Sequence, residues 1–334
     1  MNSFIDPKEN YMFSKFNDSD LKEYLSFLKN YFIEYREKLY LDKKTPFGLE
    51  IEYESTTEER EEVDNFLTRF KYYESRDEND FGYWGGEVVT PILNNSKLTW
   101  TSIKEICKKL KELGVVTNKK AGAHVHIGAH LLSDLEKFKQ FIMLYSSYEN
   151  VIYRFSNGEY ITGRENQYAA SYPISLYLID ILDSIVNASS FNEIDDLFHI
   201  MSRSQGLNLK NINFDNIKGF KYKNTIEFRM ANGSKEEIIW QNIVNLYCKM
   251  IESSKNKEFD FDFLLYKINL IANNINYTFF DKYDLNGALE LSDMVFDNNL
   301  DKSNFIRQYI KDGTDLTKLN DRPLEIKSPI FIKK

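Results

Sequence analysis

A chain of 334 residues, 42% hydrophobic and 28% charged, is long enough to bury one large core or two modest ones, and its 14 Gly and 6 Pro argue against fibrous, linker-rich or low-complexity architecture. A net charge of -8, with the lysines of Lys108–Lys111 and Lys119–Lys120 set among acidic and apolar neighbours, argues against a nucleic-acid partner, which needs clustered positive charge. No apolar run approaches the length of a membrane span and no N-terminal segment resembles a signal peptide, so no membrane partner and a cytoplasmic location are the expectation.

The two cysteines, Cys107 and Cys248, lie in helical patterns without paired spacing and read as buried free thiols. Residues 1–9 read as a loose leader. From Asn17 to Glu37 the apolar positions Leu21, Leu25, Leu28, Phe32 and Tyr35 recur every three or four residues, predicting one amphipathic helix capped by Asp18 or Ser19. Thr45-Pro46 leads into Phe47–Tyr53, F-G-L-E-I-E-Y, whose period of two predicts a strand with Glu50 and Glu52 on one face. Glu58–Lys71 reads as a helix with an acidic first turn, which the helix dipole tolerates. Tyr72–Phe81 shows no clear period, and Gly82–Leu93 reads as a strand carrying Glu87 beside the Gly85-Gly86 pair.

A helix over Thr101–Leu113, ended by Gly114, precedes Ala121–His130, A-G-A-H-V-H-I-G-A-H. This segment holds three of the four histidines. Its alternation predicts a strand with His124, His126 and Gly128 on one face and Ala123, Val125 and Ile127 on the other, while His130 stands at or beyond its end. Ser133–Phe155 reads as one long helix, Ser156–Ala170 as a loop holding Arg164, and Tyr172–Val186 as a helix starting at Pro173. Ile194–His199 is a short segment ending in a structural histidine. S-R-S-Q-G-L-N-L (Ser202–Leu209) leads to the strand Thr225–Met230, with Glu227 and Arg229 on one face, then to a turn at Asn232–Ser234 and a helix over Glu236–Ser253. Phe259–Asn274, Asp284–Met294 and Lys302–Asp312 show smaller helical patterns, and Arg322–Lys334 looks extended. The expected fold class is α+β, a curved, mainly antiparallel sheet backed by helices. Its expected parts are an N-terminal helical extension (1–44), a catalytic domain (45–254) and a mostly helical accessory region (255–334) packed on the same domain.

Three strands thus each back an apolar face with acids, imidazoles or a guanidinium. If they are neighbours, Glu50, Glu52, His124, His126, Glu227 and Arg229 share one hollow, and carboxylates brought that close require a cation between them. Hard oxygen donors favour Mg2+ or Mn2+. Arg229, two residues from Glu227, is placed to stabilise a phosphoryl group in flight. Neither a P-loop nor a dinucleotide fingerprint is present, nor H-E-x-x-H, nor a G-x-S-x-G elbow, so any ATP site must be built on a sheet surface. The residue types fit phosphoryl transfer from ATP to a carboxylate best. A metal-dependent hydrolase using His124 and His126, and a non-catalytic interaction protein, stay open.

F-G-L-E-I-E-Y (Phe47–Tyr53), G-G-E-V-V-T-P (Gly85–Pro91), A-G-A-H-V-H-I-G (Ala121–Gly128) and T-I-E-F-R-M-A-N-G-S (Thr225–Ser234), in that order, resemble the amidoligases. These belong to the carboxylate–amine ligase superfamily of glutamine synthetase and glutamate–cysteine ligase. The resemblance covers roughly residues 45–250. It implies a glutamine-synthetase-like catalytic sheet and an ADP-forming ligase that activates a carboxylate as an acyl phosphate for attack by an amine, the substrates possibly on a peptide or protein. It implies ATP and Mg2+ (or Mn2+) as cofactors. By the same analogy Glu52 and Glu87 hold the metal nearer the acceptor, Glu50, His124 and Glu227 hold the one bridging the ATP phosphates, and His126 touches a phosphate. Catalytic roles fall on Arg229, Glu52, Glu227 and Arg203; nucleotide contacts on His126, Arg229, Glu50 and Asn208; substrate contacts on Arg164 and Tyr168. Asp77 and Asp80 are both possible matches to an aspartate that precedes the glycine-rich glutamate segment in many members.

Overall fold

The computed structural model describes residues 2–70, 74–77, 85–117, 121–159, 173–199, 203, 205–219, 224–272 and 283–311. Arg164, Tyr168, Asp80, Lys119–Lys120 and the segment Arg322–Lys334 lie outside the described residues.

Among the described residues six strands form one antiparallel sheet: β1 (Phe47–Glu54), β2 (Glu74–Asp77), β3 (Gly85–Val89), β4 (Gly122–Gly128), β5 (Leu207–Asn208) and β6 (Thr225–Asn232). They are ordered β2-β3-β1-β4-β6-β5. The three motif strands are therefore neighbours, with β1 and β4 at the centre. Leu49, Ile51, Val88, Val125, Ile127 and Phe228 on the back of the sheet are all buried. Each such side chain contributes about 1.5–3 kcal/mol by leaving water.

Three helices cover that back face: α3 (Lys97–Glu112), α4 (Leu135–Ser147) and α8 (Glu237–Asn256). Phe47 stacks on Trp100 of α3, Phe141 of α4 meets Phe228 edge-on, and Phe228 stacks on Tyr247 of α8 with ring centres 4.2 Å apart. The abundant aromatic residues thus form the sheet–helix seam. The mixed α+β architecture expected from the alternating patterns is what the chain adopts. Cys107 and Cys248 are free and buried in this seam, and burial pushes both thiols up.

The other α-helices among the described residues are α1 (Asp18–Lys29), α2 (Thr57–Leu67), α5 (Glu149–Ser156), α6 (Ser175–Asn187), α7 (Phe191–Phe198), α9 (Phe261–Ala272), α10 (Leu285–Val295) and α11 (Asn299–Ile310). Several differ from the sequence reading for identifiable reasons. The first helix starts on Asn17, which forms a capping box with Asp20, and stops at Lys29. Beyond it, Arg36 N donates to Gln241 Oε1 at 3.0 Å and Leu39 N to Asn95 Oδ1 at 2.9 Å, so tertiary partners take the amides that a longer helix would use.

The expected long helix over Ser133–Phe155 is two, broken at Tyr148 (φ -131°, ψ 19°). Just before the break Ser146 and Ser147 each donate a hydroxyl to the carbonyl four residues back, a bond that bends helices. Two short strands went unread: β2 lies in the segment without period, and β5 is only two residues long.

The described residues after 255 (256–272 and 283–311) pack against the sheet-backing helices and the N-terminal segment. Lys302 pairs with Asp293 at 2.8 Å and Arg36 with Asp301 at 2.5 Å, all four side chains largely removed from water. Asn299 N donates to Glu9 O, tying α11 to the start of the chain. Among the described residues no helix is long and apolar enough to cross a membrane.

Candidate active site

Register decides which polar side chains meet. Glu52 pairs with Glu87 across β1/β3, Glu50 with His124 across β1/β4, His126 with Glu227 across β4/β6, and Asn208 with Glu227 across β5/β6. Because β1 and β4 alternate apolar and polar residues, these partners turn to the face opposite the core. Glu52, Glu87, His124 and Glu227 are buried, while Glu50 and His126 are partly open to a cavity.

The β4/β6 register slips between Ala123 and Val125, so Arg229 and Met230 together oppose the single position of His124. Met230 lies in the core, where Tyr247 Oη is 3.0 Å from its sulfur, while Arg229, on the opposite face, reaches back over Glu227.

The contacts are close. His124 Nδ1 lies 2.7 Å from Glu50 Oε2 and 3.9 Å from Glu227 Oε1, and its Nε2 is 3.3 Å from Glu52 Oε1. His126 Nε2 sits 3.0 Å from Glu50 Oε1 and 4.0 Å from Glu227 Oε1. Glu52 also accepts from Gly122 N. Glu227 is held on both oxygens: Oε2 accepts the side-chain amides of Asn208 (2.6 Å) and Asn211 (2.8 Å), and Oε1 accepts from Arg229 Nη1.

Burial alone pushes the Glu50 carboxyl up, but contact with the two imidazoles outweighs it and holds the group well below the usual carboxylate range. His126, which burial pushes down, is raised on balance by Glu50 and Glu227, against a smaller opposing effect of Arg229. His126 thus acts as a counter-charge to Glu50 and Glu227.

Two sets of donors could each hold a cation. Glu50, His124 and Glu227 form one, Glu52, Glu87 and His124 the other, and within each set one ligand atom per residue lies within 4.8 Å of the others. His124 belongs to both, its Nδ1 facing one set and its Nε2 the other. The buried Nε2 of His124 stands 3.3 Å from Glu52 Oε1 without a hydrogen bond between them, the disposition of two ligand atoms turned toward a cation rather than toward each other. Mostly oxygen donors with one imidazole fit a hard divalent ion.

Alongside lies a cavity of about 990 Å³, whose walls include Glu50, His126, Asn208, Glu227, Arg229 and the exposed Arg203. Eight of the residues singled out in the sequence (Glu50, Glu52, Glu87, His124, His126, Asn208, Glu227 and Arg229) therefore converge on one centre, and Arg203 joins them along the cavity wall. His130 falls in a 3₁₀ turn past the end of β4 and lines the same cavity. The side chain of Asp77 lies outside what is described. Asn211 was missed: its role arises from the β5–β6 pairing, and three residues after Asn208 it carries no pattern of its own.

A family model described as "Putative amidoligase enzyme" matches residues 48–251, more than half of the chain and the span containing all of these side chains. The chain belongs to that family, and the family defines it as an enzyme of the amide-forming ligase class. No curated protein matches it.

Proposed function

We propose that this protein is an ATP-dependent carboxylate–amine ligase whose catalytic sheet is of the glutamine-synthetase type. The observation that carries the reading is the pair of donor sets sharing His124, set beside a cavity with Arg229 at its wall. Glu50, His124 and Glu227 would hold one Mg2+ or Mn2+, and Glu52, Glu87 and His124 the other; these ions supply charge neutralisation for a polyphosphate. His126, at the cavity end of the same row, is the donor to a phosphate oxygen. Arg229 meets the transferring phosphoryl group, and Arg203, on the same wall, is a second cation for it.

In the reaction a substrate carboxylate oxygen attacks the γ-phosphorus and the bond to the β,γ-bridging oxygen breaks, releasing ADP. The amine nitrogen then attacks the acyl carbon and loses a proton to solvent, the bond from the acyl carbon to the phosphate oxygen breaks, and inorganic phosphate leaves as the amide forms. Asn208 and Asn211 keep Glu227 from rotating, so one of its oxygens stays aimed at the centre. The hydrolase alternative asks for His124 and His126 on one ion, whereas both donor sets take His124 and neither takes His126. Family membership weighs the same way.

The test is nucleotide turnover with mixed carboxylates and amines. ADP and phosphate formation that requires a divalent ion, a carboxylate and an amine supports the reading. AMP release, or amide cleavage without nucleotide, rejects it. Arg164 and Tyr168 remain the proposed substrate contacts, to be tested by the same assay. The acceptor is a small molecule, peptide or protein carrying a carboxylate or an amine, met in the cytoplasm.

A further inference from the structure

The helices after residue 255 end on an unusual residue. Lys311, directly after α11, has φ 60° and ψ 170°, a region nearly confined to glycine, and it is the one non-glycine residue with a positive φ among those described. Its side chain is buried, and its amine donates to Gly158 O. Burial and the charge of Arg154 push that amine down to about 7, against the opposing pull of Glu159. Lys311 therefore costs the fold twice, in its backbone and in its buried amine. Such a combination points to a task other than stability.

What the amine holds is the end of α5. The last carbonyls of a helix need partners from outside it. Three carbonyls at and just beyond this end accept side-chain donors from distant elements: Phe155 O from Gln308 Nε2 of α11 at 3.2 Å, Asn157 O from Asn232 Nδ2 of β6 at 3.3 Å, and Gly158 O from Lys311. Ser234, just past β6, places its hydroxyl 3.2 Å from both oxygens of Glu159. Between Asn232 and Ser234, a Cβ at Gly233 would stand 2.9 Å from Glu52 O and 3.1 Å from Ala121 O, so this corner lies directly on the backbone of a predicted metal ligand. Arg164 follows Glu159 by five residues and Tyr168 follows it by nine.

We propose that Lys311 is a positioning residue for the carboxylate substrate. With Gln308 it pins the end of α5 from the helices after 255, while Asn232 and Ser234 pin it from the catalytic sheet. Together they set where the chain leading to Arg164 and Tyr168 starts relative to Glu52. The proposal rests on the ligase reading above and on Arg164 and Tyr168 as its substrate contacts. It gives a function to a residue outside the 48–251 family match.

Lys311→Gly and Lys311→Met both remove the amine but disturb the fold differently. Glycine relieves the backbone and empties the space of the stem, whereas methionine keeps both. In the turnover assay with mixed carboxylates and amines, each variant should raise the KM for the carboxylate by about ten-fold, to a similar extent, and leave the KM for ATP and the affinity for Mn2+ unchanged. Lys311→Arg, which keeps a donor, should recover most of that loss. Hydrogen exchange at the amides of Asn157 and Gly158 should quicken in Lys311→Gly and Lys311→Met. An activity loss that follows the melting temperatures, an equal rise in both KM values, or an unaltered KM for the carboxylate overturns the positioning role and leaves the ligase reading in place. Unchanged exchange at Asn157 and Gly158 overturns it without reference to turnover. Absence of turnover in the wild type overturns both.

Discussion

Glu227 shows how much one side chain depends on its neighbours. Its Oε2 is taken by two asparagine amides and its Oε1 by Arg229, so Glu227→Gln must turn an N–H either toward those amides or toward the guanidinium. Turnover should fall by roughly 10³-fold, as when a preorganised charge is removed, with the circular dichroism spectrum unchanged. Full activity in this variant would remove Glu227 from the site. Asn211→Ala should lower the affinity for Mn2+ by roughly 10–100-fold, the usual consequence of losing a partner that orients a ligand, with a far smaller change in Tm. A Mn2+ titration beside a thermal melt separates the two.

His126 gives the site a pH dependence whose sign follows from its raised pKa. In the metal-free protein its stabilising contribution is complete below the unfolded imidazole value and is lost as pH rises through the higher folded one. A protonated His126 beside Glu50 and Glu227 repels an entering cation. Mn2+ affinity should therefore rise with pH across that range, and should rise less in His126→Gln. A pH-independent affinity in the wild type would contradict the placement.

At the scale of elements, Glu149 ties two helices together. It opens α5 after the break at Tyr148, and its buried carboxylate accepts from Ile174 N and Ser175 N, each at 2.8 Å, at the start of α6. The carboxylate thereby caps a helix that has no cap from its own N-cap residue. Glu149→Ala strands those amides and should cost about 1–3 kcal/mol for each donor left unpaired, read by urea unfolding. Burial pushes the Glu149 carboxyl up to about 7, against the opposing hydrogen bonds. The folded protein then holds a proton that the unfolded chain has released, so this residue makes stability fall as pH rises from the ordinary carboxylate range to about 7. That slope should be absent in Glu149→Gln.

For the whole molecule, the concentration of acids at the centre of the sheet makes the fold itself sensitive to cations. Glu50, Glu52, Glu87 and Glu227 face one another, with Arg229 and the raised His126 as near counter-charges. A divalent ion that binds only the folded state should stabilise it by about 2.7 kcal/mol at a hundred times its Kd. Thermal melts should rise with added Mn2+, fall back with a chelator, and lose the response in a Glu50→Ala, Glu227→Ala double variant. Ion-independent melting of the wild type would argue that the acids are neutralised internally.

Much of this centre was legible because strands impose a period of two. In F-G-L-E-I-E-Y and A-G-A-H-V-H-I-G the apolar residues state which face is core, and the acids and imidazoles must then take the other. Helix positions were legible for the same reason, from apolar spacing and from local caps. Helix ends were not: Arg36 and Leu39 leave the helical path because Gln241 and Asn95, far along the chain, take their amides. Phase within a strand is a local property, and the sequence by itself determined it. Which strands become neighbours, that His124 faces both donor sets and that Asn211 grips Glu227 are relations between distant segments. Only the tertiary structure decided them, because register and pairing follow from how the whole apolar face is buried at once.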